Sequence, residues 1–224
     1  MFIGFYDLAN FITLTGLASS VAACFMAFAG KLQIAVMLFM LSGICDCFDG
    51  PVARRSKKRD ERKSVFGVQI DTVSDMVSFG VTPAVLLLCM GMHGIIPVFK
   101  GGPVLMAVVW MILIFYVMCA AVRLAYFNML EITKTDKNAP KTFTGMPVPF
   151  SAIVFPLLFL GAVTLPIPGQ ISAIFIIAFY FLTAVLFISN FVMKKPTGFV
   201  YYLYPVYGIA LVVLYIIFGG RLNV

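Results

Sequence analysis

Charged side chains are scarce in this sequence of 224 residues, where Lys, Arg, Asp and Glu together make up 11% of the chain. A soluble domain carries roughly a quarter of its residues as charges, because its surface must be solvated. Hydrophobic residues make up 62% of the chain, and the mean hydropathy is +1.06. This composition excludes an ordinary soluble domain and predicts a protein that crosses a membrane several times.

Histidine and paired cysteines are also lacking. His93 is the only histidine, and the five cysteines include no CxxC pair, so the thiols do not have the spacing of a metal or redox site. They fall inside or at the ends of apolar segments and are interpreted as small buried hydrophobes. No positively charged region precedes the first apolar run, which we therefore expect to be a retained helix rather than a signal peptide.

Seven long apolar runs account for most of the chain. Most of them reach the roughly 20 residues that a helix needs to cross the hydrocarbon core. The last is the weakest, because Pro205 and Gly208 interrupt it. We predict an all-α polytopic transmembrane bundle forming one domain over residues 1–224, with a core over about 8–193 and an additional C-terminal helix over about 202–219. The runs lie at about 8–29, 32–53, 65–90, 103–130, 147–165, 170–193 and 202–219.

Basic residues are distributed unevenly between the runs. Twelve Lys and Arg residues follow the second, fourth and sixth runs, whereas only Lys31, Lys100 and Arg221 lie on the alternate side. Cytoplasmic loops carry such an excess, which predicts a cytoplasmic N-terminus and, with seven spans, an external C-terminus. The net charge of +7 is explained by these loops, so we do not expect nucleic acid as a partner.

Four of the nine acidic residues lie at the predicted cytoplasmic ends of the second and third runs. Asp46 and Asp49 are spaced i, i+3, and Asp71 and Asp75 are spaced i, i+4, so each pair projects from one face of its helix. The basic connection makes the two helices antiparallel neighbours, which can bring the two pairs together.

Carboxylates at membrane depth are costly, at about 2.5–3.5 kcal/mol each on insertion scales, unless cations lie among them. Their oxygen atoms suit Mg²⁺, Mn²⁺ or Ca²⁺, and two such ions can clamp a diphosphate. One alternative is a solvated helix end whose acids pair with nearby Arg and Lys. Another is a divalent-cation transporter, although no acid near the middle of a later span continues an ion path.

Small residues accompany the acids. Gly50 and Ala53 share the face of Asp46 and Asp49, and Gly67 stands one turn before Asp71. Small residues in membrane helices often serve only close helix packing. Beside the acids, they also allow a planar base or a ribose to lie against the helix.

The combined pattern D-x-x-D-G-x-x-A-R and G-x-x-x-D-x-x-x-D resembles the signature of the CDP-alcohol phosphotransferase family. The resemblance implies a membrane enzyme with six core helices, a homodimer, and displacement of CMP from a CDP-linked lipid donor. This chain departs from the family in one respect: twelve residues separate Arg54 from Gly67, rather than seven or eight. The extra length is about one helical turn, so the helix faces can keep their phase.

The resemblance also implies roles for individual residues. Asp46, Asp49 and Asp71 would share two divalent metal ions, Mg²⁺ or Mn²⁺ with Ca²⁺ as a further option, and Asp75 would bind the second ion and act as general base. The implied contacts to the CDP-lipid include two polar residues of the first helix. They are Asn10, Thr13, Asp49, Gly50, Ala53, Arg54, Gly67 and Asp71.

Three further segments resemble bacterial and archaeal phosphatidylserine synthases within that family: residues 71–83, 123–128 and 145–149. They imply L-serine as the acceptor alcohol, with Arg123 and Asn128 as candidates for binding its carboxylate. Arg123 also suits a simple interface anchor. Glycerol 3-phosphate, inositol and inositol phosphate remain alternative acceptors. We expect the protein in the cell membrane, with its active site on the cytoplasmic side.

Overall fold

Helices dominate the computed structural model of the protein, which describes residues 4–55, 61–99, 101–132, 142–194 and 199–222. A π-helical turn, Met76–Val81, joins α3 to α4 as one continuous rod. The all-α prediction is confirmed, since each of the seven apolar runs is helical within these ranges. The helices are α1 Leu8–Phe28, α2 Leu32–Arg55, α3 Glu61–Asp75, α4 Thr82–Met92, α5 Gly102–Ile132, α6 Ser151–Thr164, α7 Gly169–Ile188 and α8 Phe199–Phe218.

Within the described ranges, five helical spans are long and apolar enough to cross a membrane. Two shorter apolar helices, Val148–Thr164 and Tyr207–Leu222, complete the set. The protein is therefore an integral membrane protein. The five spans are Leu8–Phe28, Leu32–Ala53, Arg62–Met92, Gly102–Leu130 and Gly169–Ile188.

The helices run alternately up and down, so the bundle has two distinct ends. At one end, the Asn128 amide of α5 donates to Gln69 of α3 at 3.4 Å. At the other, Gln33 near the start of α2 donates to the carbonyl of Tyr215 in α8 at 2.7 Å. The aspartates predicted to carry chemistry lie toward the first end, near the end of α2 and in the later half of α3.

A short antiparallel pair of strands, β1 Thr142–Thr144 and β2 Val192–Lys194, lies outside the helical pattern. It links the segment before α6 to the segment after α7. Gly145 follows β1 with φ +75°, and its N–H donates to the Phe191 carbonyl at 2.7 Å. The apolar pattern of the sequence did not predict this pairing.

Helices α1 and α2 pack closely, which determines the position of the first polar residues of α1. Asp7 caps α1 by accepting a hydrogen bond from the backbone N–H of Asn10 at 2.9 Å. Further along α1, a Cβ atom at Gly16 would lie only 3.1 Å from the Cβ of Cys45. Glycine at this crossing lets α1 approach the face of α2 that carries Asp46 and Asp49.

Many of the basic residues that carry the topology prediction lie outside the described residues. The orientation of the bundle in the membrane therefore stays a prediction from the sequence. These residues are Lys57, Lys58, Arg59, Lys100, Lys134, Lys137, Lys141 and Lys195.

Candidate active site

The structure brings the four aspartates of α2 and α3 together. Asp46, Asp49 and Asp71 each offer a carboxylate oxygen, and these three atoms lie within 4.8 Å of one another. Asp75, one turn after Asp71, has its carboxyl group in hydrogen-bonding contact with that of Asp46. The site therefore consists of a cluster of three carboxylates with a fourth beside it.

Thr13 of α1 holds one member of this cluster. Its hydroxyl donates a 2.6 Å hydrogen bond to Oδ2 of Asp49, whose side chain is only 8% exposed. Charge-assisted bonds of this kind are short and strong, and they fix the direction of the carboxylate. A third helix thus takes part in the site.

Hydroxyl groups line a narrow cavity beside the aspartates, and sequence reasoning missed three of them, Ser42, Ser74 and Ser78. The Ser74 hydroxyl donates to the Thr13 carbonyl at 3.3 Å, which ties α3 to α1. All three serines are buried. The sequence did contain a signal for these serines, because residues four apart share a helix face. Ser42 is four residues before Asp46, and Ser78 is four residues after Ser74.

The cluster fits a hard divalent cation. Oδ1 of Asp71 is buried and has no hydrogen-bond partner among the described residues, as expected of an atom placed to bind an ion. Ligands on opposite sides of Mg²⁺ are about 4.2 Å apart, and those around Ca²⁺ about 5 Å apart. The three oxygens, within 4.8 Å of one another, lie in the same range. The all-oxygen donor set also suits these ions rather than zinc or copper.

Asn10, the other polar residue predicted to face the nucleotide, lies on the same helix as Thr13 but makes local contacts. Its side-chain amide donates to the carbonyl of Phe5 at 2.8 Å, and its side chain is 2% exposed. This bond fastens the segment before α1 against the helix. Thr13 therefore lies against the aspartates, whereas the side-chain amide of Asn10 bonds to the segment before α1.

The small residues predicted to face the nucleotide lie on the same two helices as the aspartates. Gly50 and Ala53 are half-buried on α2, beyond Asp49, and Gly67 is buried on α3 before Asp71. The backbone of Arg54 belongs to α2, but its side chain lies outside what the structure describes.

The two candidates for acceptor binding lie on α5, one helix away from the cluster. Arg123 is buried, and its Nε and Nη2 atoms donate to the carbonyls of Met146 at 3.1 Å and Gly145 at 3.3 Å. Asn128 contacts Gln69, and its Oδ1 is buried with no partner among the described residues. Arg123 therefore already holds the turn that follows β1.

An open groove runs along the outer face of α3 at this end of the bundle. Its lining includes one cation, one aromatic ring and one amide, contributed by Arg62, Phe66 and Gln69 together with Val65. Gln69 is two residues from Asp71, so the two side chains point in different directions around α3.

The family model described as CDP-alcohol phosphatidyltransferase matches residues 6–207, so the chain belongs to that family. The chain is therefore an enzyme of phospholipid synthesis that acts within a membrane.

Individual relatives come from several organisms. The chain is 27% identical over 194 residues to an archaetidylserine synthase of Methanothermobacter thermautotrophicus, covering 87% of this chain and 72% of the relative. It is 28% identical over 193 residues to a CDP-diacylglycerol–serine O-phosphatidyltransferase of Mycobacterium bovis, covering 84% and 61%. A protein of the same name from Helicobacter pylori is 30% identical over 186 residues, covering 83% and 70%.

The bond from Thr13 to Asp49 generates a testable prediction. Replacing Thr13→Val removes the hydroxyl that orients the carboxylate, and we expect Mn²⁺ binding to weaken about 10–100-fold, as is typical for supporting groups of metal sites. Binding is measured by the loss of the free-Mn²⁺ signal in electron paramagnetic resonance of the detergent-purified protein.

Thr15→Val is the matched control for this variant. Thr15 lies on the exposed side of α1, and its hydroxyl donates to the Phe11 carbonyl at 2.8 Å. It should leave Mn²⁺ affinity unchanged. Equal affinities for Thr13→Val and Thr15→Val would show that the hydroxyl of Thr13 has no part in the metal site.

Proposed function

We propose that this protein transfers a phosphatidyl group from a CDP-activated lipid to L-serine and releases CMP. The observation that carries the proposal is the convergence of the Asp46, Asp49 and Asp71 carboxylates, with Asp75 beside them, in a chain of this family. The acceptor is supported by the relatives, whose names specify serine or archaetidylserine products. The lipid tails of the donor, diacylglycerol or archaeal ether lipid, are left open by these relatives.

Asp46, Asp49 and Asp71 would hold two divalent ions, Mg²⁺ or Mn²⁺ with Ca²⁺ as a further option, and Asp75 would complete the second site. The bound ions would neutralise the diphosphate and stabilise its transferring and leaving oxygens. Thr13 supports this arrangement by holding Asp49 in place.

Asp75 is the proposed general base. It lies beside the set of three mutually close carboxylates, next to the carboxyl group of Asp46. It would take the proton of the serine hydroxyl as that oxygen attacks the β-phosphorus of the CDP-lipid. A new phosphorus–oxygen bond forms, the bond to the bridging oxygen of CMP breaks, and CMP leaves with the electron pair.

The nucleotide would lie against α2 and α3 on the small side chains beside the aspartates. Gly50 and Ala53 leave room for it against the backbone of α2, and Gly67 leaves room against α3. Arg54 and Asn10 are proposed as further contacts to the CDP moiety by resemblance to the family.

The depth of Arg123 supports its proposed contact with the serine carboxylate. Hydrogen bonds from Asn128 to Gln69 and from Tyr116 to the Phe79 carbonyl set the antiparallel register of α5 against the α3 rod. This register puts Arg123 at about the depth of the aspartates on α3. A guanidinium has five N–H donors, and the two bonds to the Gly145–Met146 turn leave others for a ligand.

The first test measures CMP release from CDP-diacylglycerol by the purified protein with L-serine, glycerol 3-phosphate, inositol or inositol phosphate. We expect release with L-serine and Mg²⁺ or Mn²⁺, and none in excess EDTA, because the carboxylates cannot bind a diphosphate without cations. Full activity in the chelator would contradict the metal-dependent mechanism. Release with another alcohol but not with serine would contradict the acceptor.

The second test separates the roles of Asp75 and Asp71. Asp75→Asn should keep most of the CDP-lipid affinity and lose about 10²–10⁴-fold in single-turnover CMP release, since it removes a positioned base. Asp71→Asn should lose metal and nucleotide binding together, because its carboxylate belongs to the cluster. If Asp75→Asn binds as poorly as Asp71→Asn, Asp75 is first of all a metal ligand.

The third test concerns the proposed cytoplasmic location of the site, which rests on the distribution of basic residues. A single cysteine at Lys58 should react with a membrane-impermeant thiol reagent only from the cytoplasmic side, and one at Lys100 only from outside. Labelling of the unaltered chain gives the background reaction of the five native cysteines. Reversed labelling would place the site on the opposite face of the membrane.

A further inference from the structure

A π-helical turn follows directly after Asp75, within the continuous rod formed by α3 and α4. The span Arg62–Met92 is helical throughout, but Met76–Val81 is wound more widely than an α-helix. The N–H of Thr82 bonds to the Val77 carbonyl, five residues back, and the Thr82 hydroxyl donates to the same oxygen at 2.9 Å. Such turns are rare and concentrate at functional sites.

Pro83 explains why the helix departs from α-geometry here. In an unbroken α-helix, a residue at this position donates its N–H to the Phe79 carbonyl, but proline has no N–H and its ring clashes with that carbonyl. Instead, Tyr116 of α5 donates its hydroxyl to the Phe79 oxygen at 2.7 Å, and the Ser151 hydroxyl lies 3.4 Å from it. Donors from two other helices thus replace the missing backbone bond.

The wider turn changes how the two halves of the rod face their neighbours. One extra residue in a turn shifts the helical phase by about 100° between the segments on either side. With α4 packed in the bundle, the turn therefore determines the direction in which Asp71 and Asp75 point. A regular α-helical turn would rotate them away from Asp46 and Asp49 or disrupt the packing of α4.

We propose that Tyr116 is a positioning residue for the carboxylate cluster. Its hydroxyl holds the Phe79 carbonyl in the π-turn and so keeps the α3 aspartates directed at those of α2. Tyr116 and Phe79 are fully buried, so loss of the hydroxyl would leave a carbonyl without its main donor in a membrane interior. The effect on turnover rests on the proposed function, whereas the effect on metal binding rests on the geometry of the cluster alone.

The ring of Tyr116 has a separate role from its hydroxyl. Its centroid lies 5.6 Å from that of Phe155 and 5.5 Å from that of Phe187, in an aromatic cluster between α5, α6 and α7. Tyr116→Phe preserves the ring and removes only the donor. The variant therefore tests positioning without opening a cavity.

Two other buried tyrosines provide matched controls. Tyr180 packs in the same aromatic cluster, and its hydroxyl donates to the Pro83 carbonyl at 2.6 Å, on the far side of the π-turn from the aspartates. Tyr215 donates to the Pro156 carbonyl at 2.6 Å, in the contact between α8 and α6. Tyr180→Phe and Tyr215→Phe each remove a buried hydroxyl that does not bond to the π-turn.

The experiment measures Mn²⁺ binding by electron paramagnetic resonance, together with kcat and the Mn²⁺ dependence of CMP release, for the full chain in detergent. We expect Tyr116→Phe to weaken Mn²⁺ binding about 10–100-fold and to lower kcat. Tyr180→Phe and Tyr215→Phe should keep the Mn²⁺ affinity and kcat within about twofold of the wild-type values. This should hold even if they lower the thermal stability as much as Tyr116→Phe does. Ser151→Ala, which removes the longer bond, should change Mn²⁺ binding in the same direction by a smaller factor.

Wild-type Mn²⁺ affinity in Tyr116→Phe, or the same loss in Tyr180→Phe, would overturn the proposal. If Tyr116→Phe does not fold, an unchanged Mn²⁺ affinity in Ser151→Ala overturns it instead. A wild-type protein that binds Mn²⁺ but releases no CMP with any alcohol contradicts the proposed function, while the Mn²⁺ measurements still decide the role of Tyr116. A wild-type protein that binds no Mn²⁺ contradicts both.

Discussion

Four carboxyl groups lie close together inside apolar spans of this protein. Each costs several kcal/mol when it is buried in a membrane without a counter-charge, and their mutual repulsion adds to this. Such a cluster persists only if cations bind to it and if the helices that carry it cannot move apart. The hydroxyls and small residues around the aspartates meet the second requirement.

Helix α1 helps to hold the cluster, although it carries none of the four aspartates. It packs tightly on α2 at Gly16, bonds to Asp49 through the Thr13 hydroxyl, and accepts a bond from Ser74 of α3 through the Thr13 carbonyl. One residue of α1 thus joins the two helices that carry the acids. On the other side, Tyr116 of α5 fixes the turn after Asp75.

The spans and the aspartates could be predicted from the sequence because both depend on local patterns, namely run length and the i, i+3 and i, i+4 spacings. The π-turn could not, because proline at position 83 predicts a missing donor but not which distant hydroxyl replaces it. The same holds for Arg123, whose bonds to Gly145 and Met146 depend on a turn more than twenty residues away. Long-range contacts of this kind are fixed by packing and leave no periodic signal.

The depth of the cluster fits a reaction between a lipid and a water-soluble alcohol. Asp49 and Asp46 lie four and seven residues before Ala53, where the apolar span of α2 ends, or about 6 and 10 Å along the helix. The carboxylates are therefore near one end of an apolar span, and a lipid anchored by its tails holds its diphosphate toward such an end. A phosphorylated acceptor would need several cations there, and Arg123, at about the depth of the aspartates on α3, has two of its donors already engaged. One partly engaged guanidinium suits the single carboxylate of serine better than a phosphate.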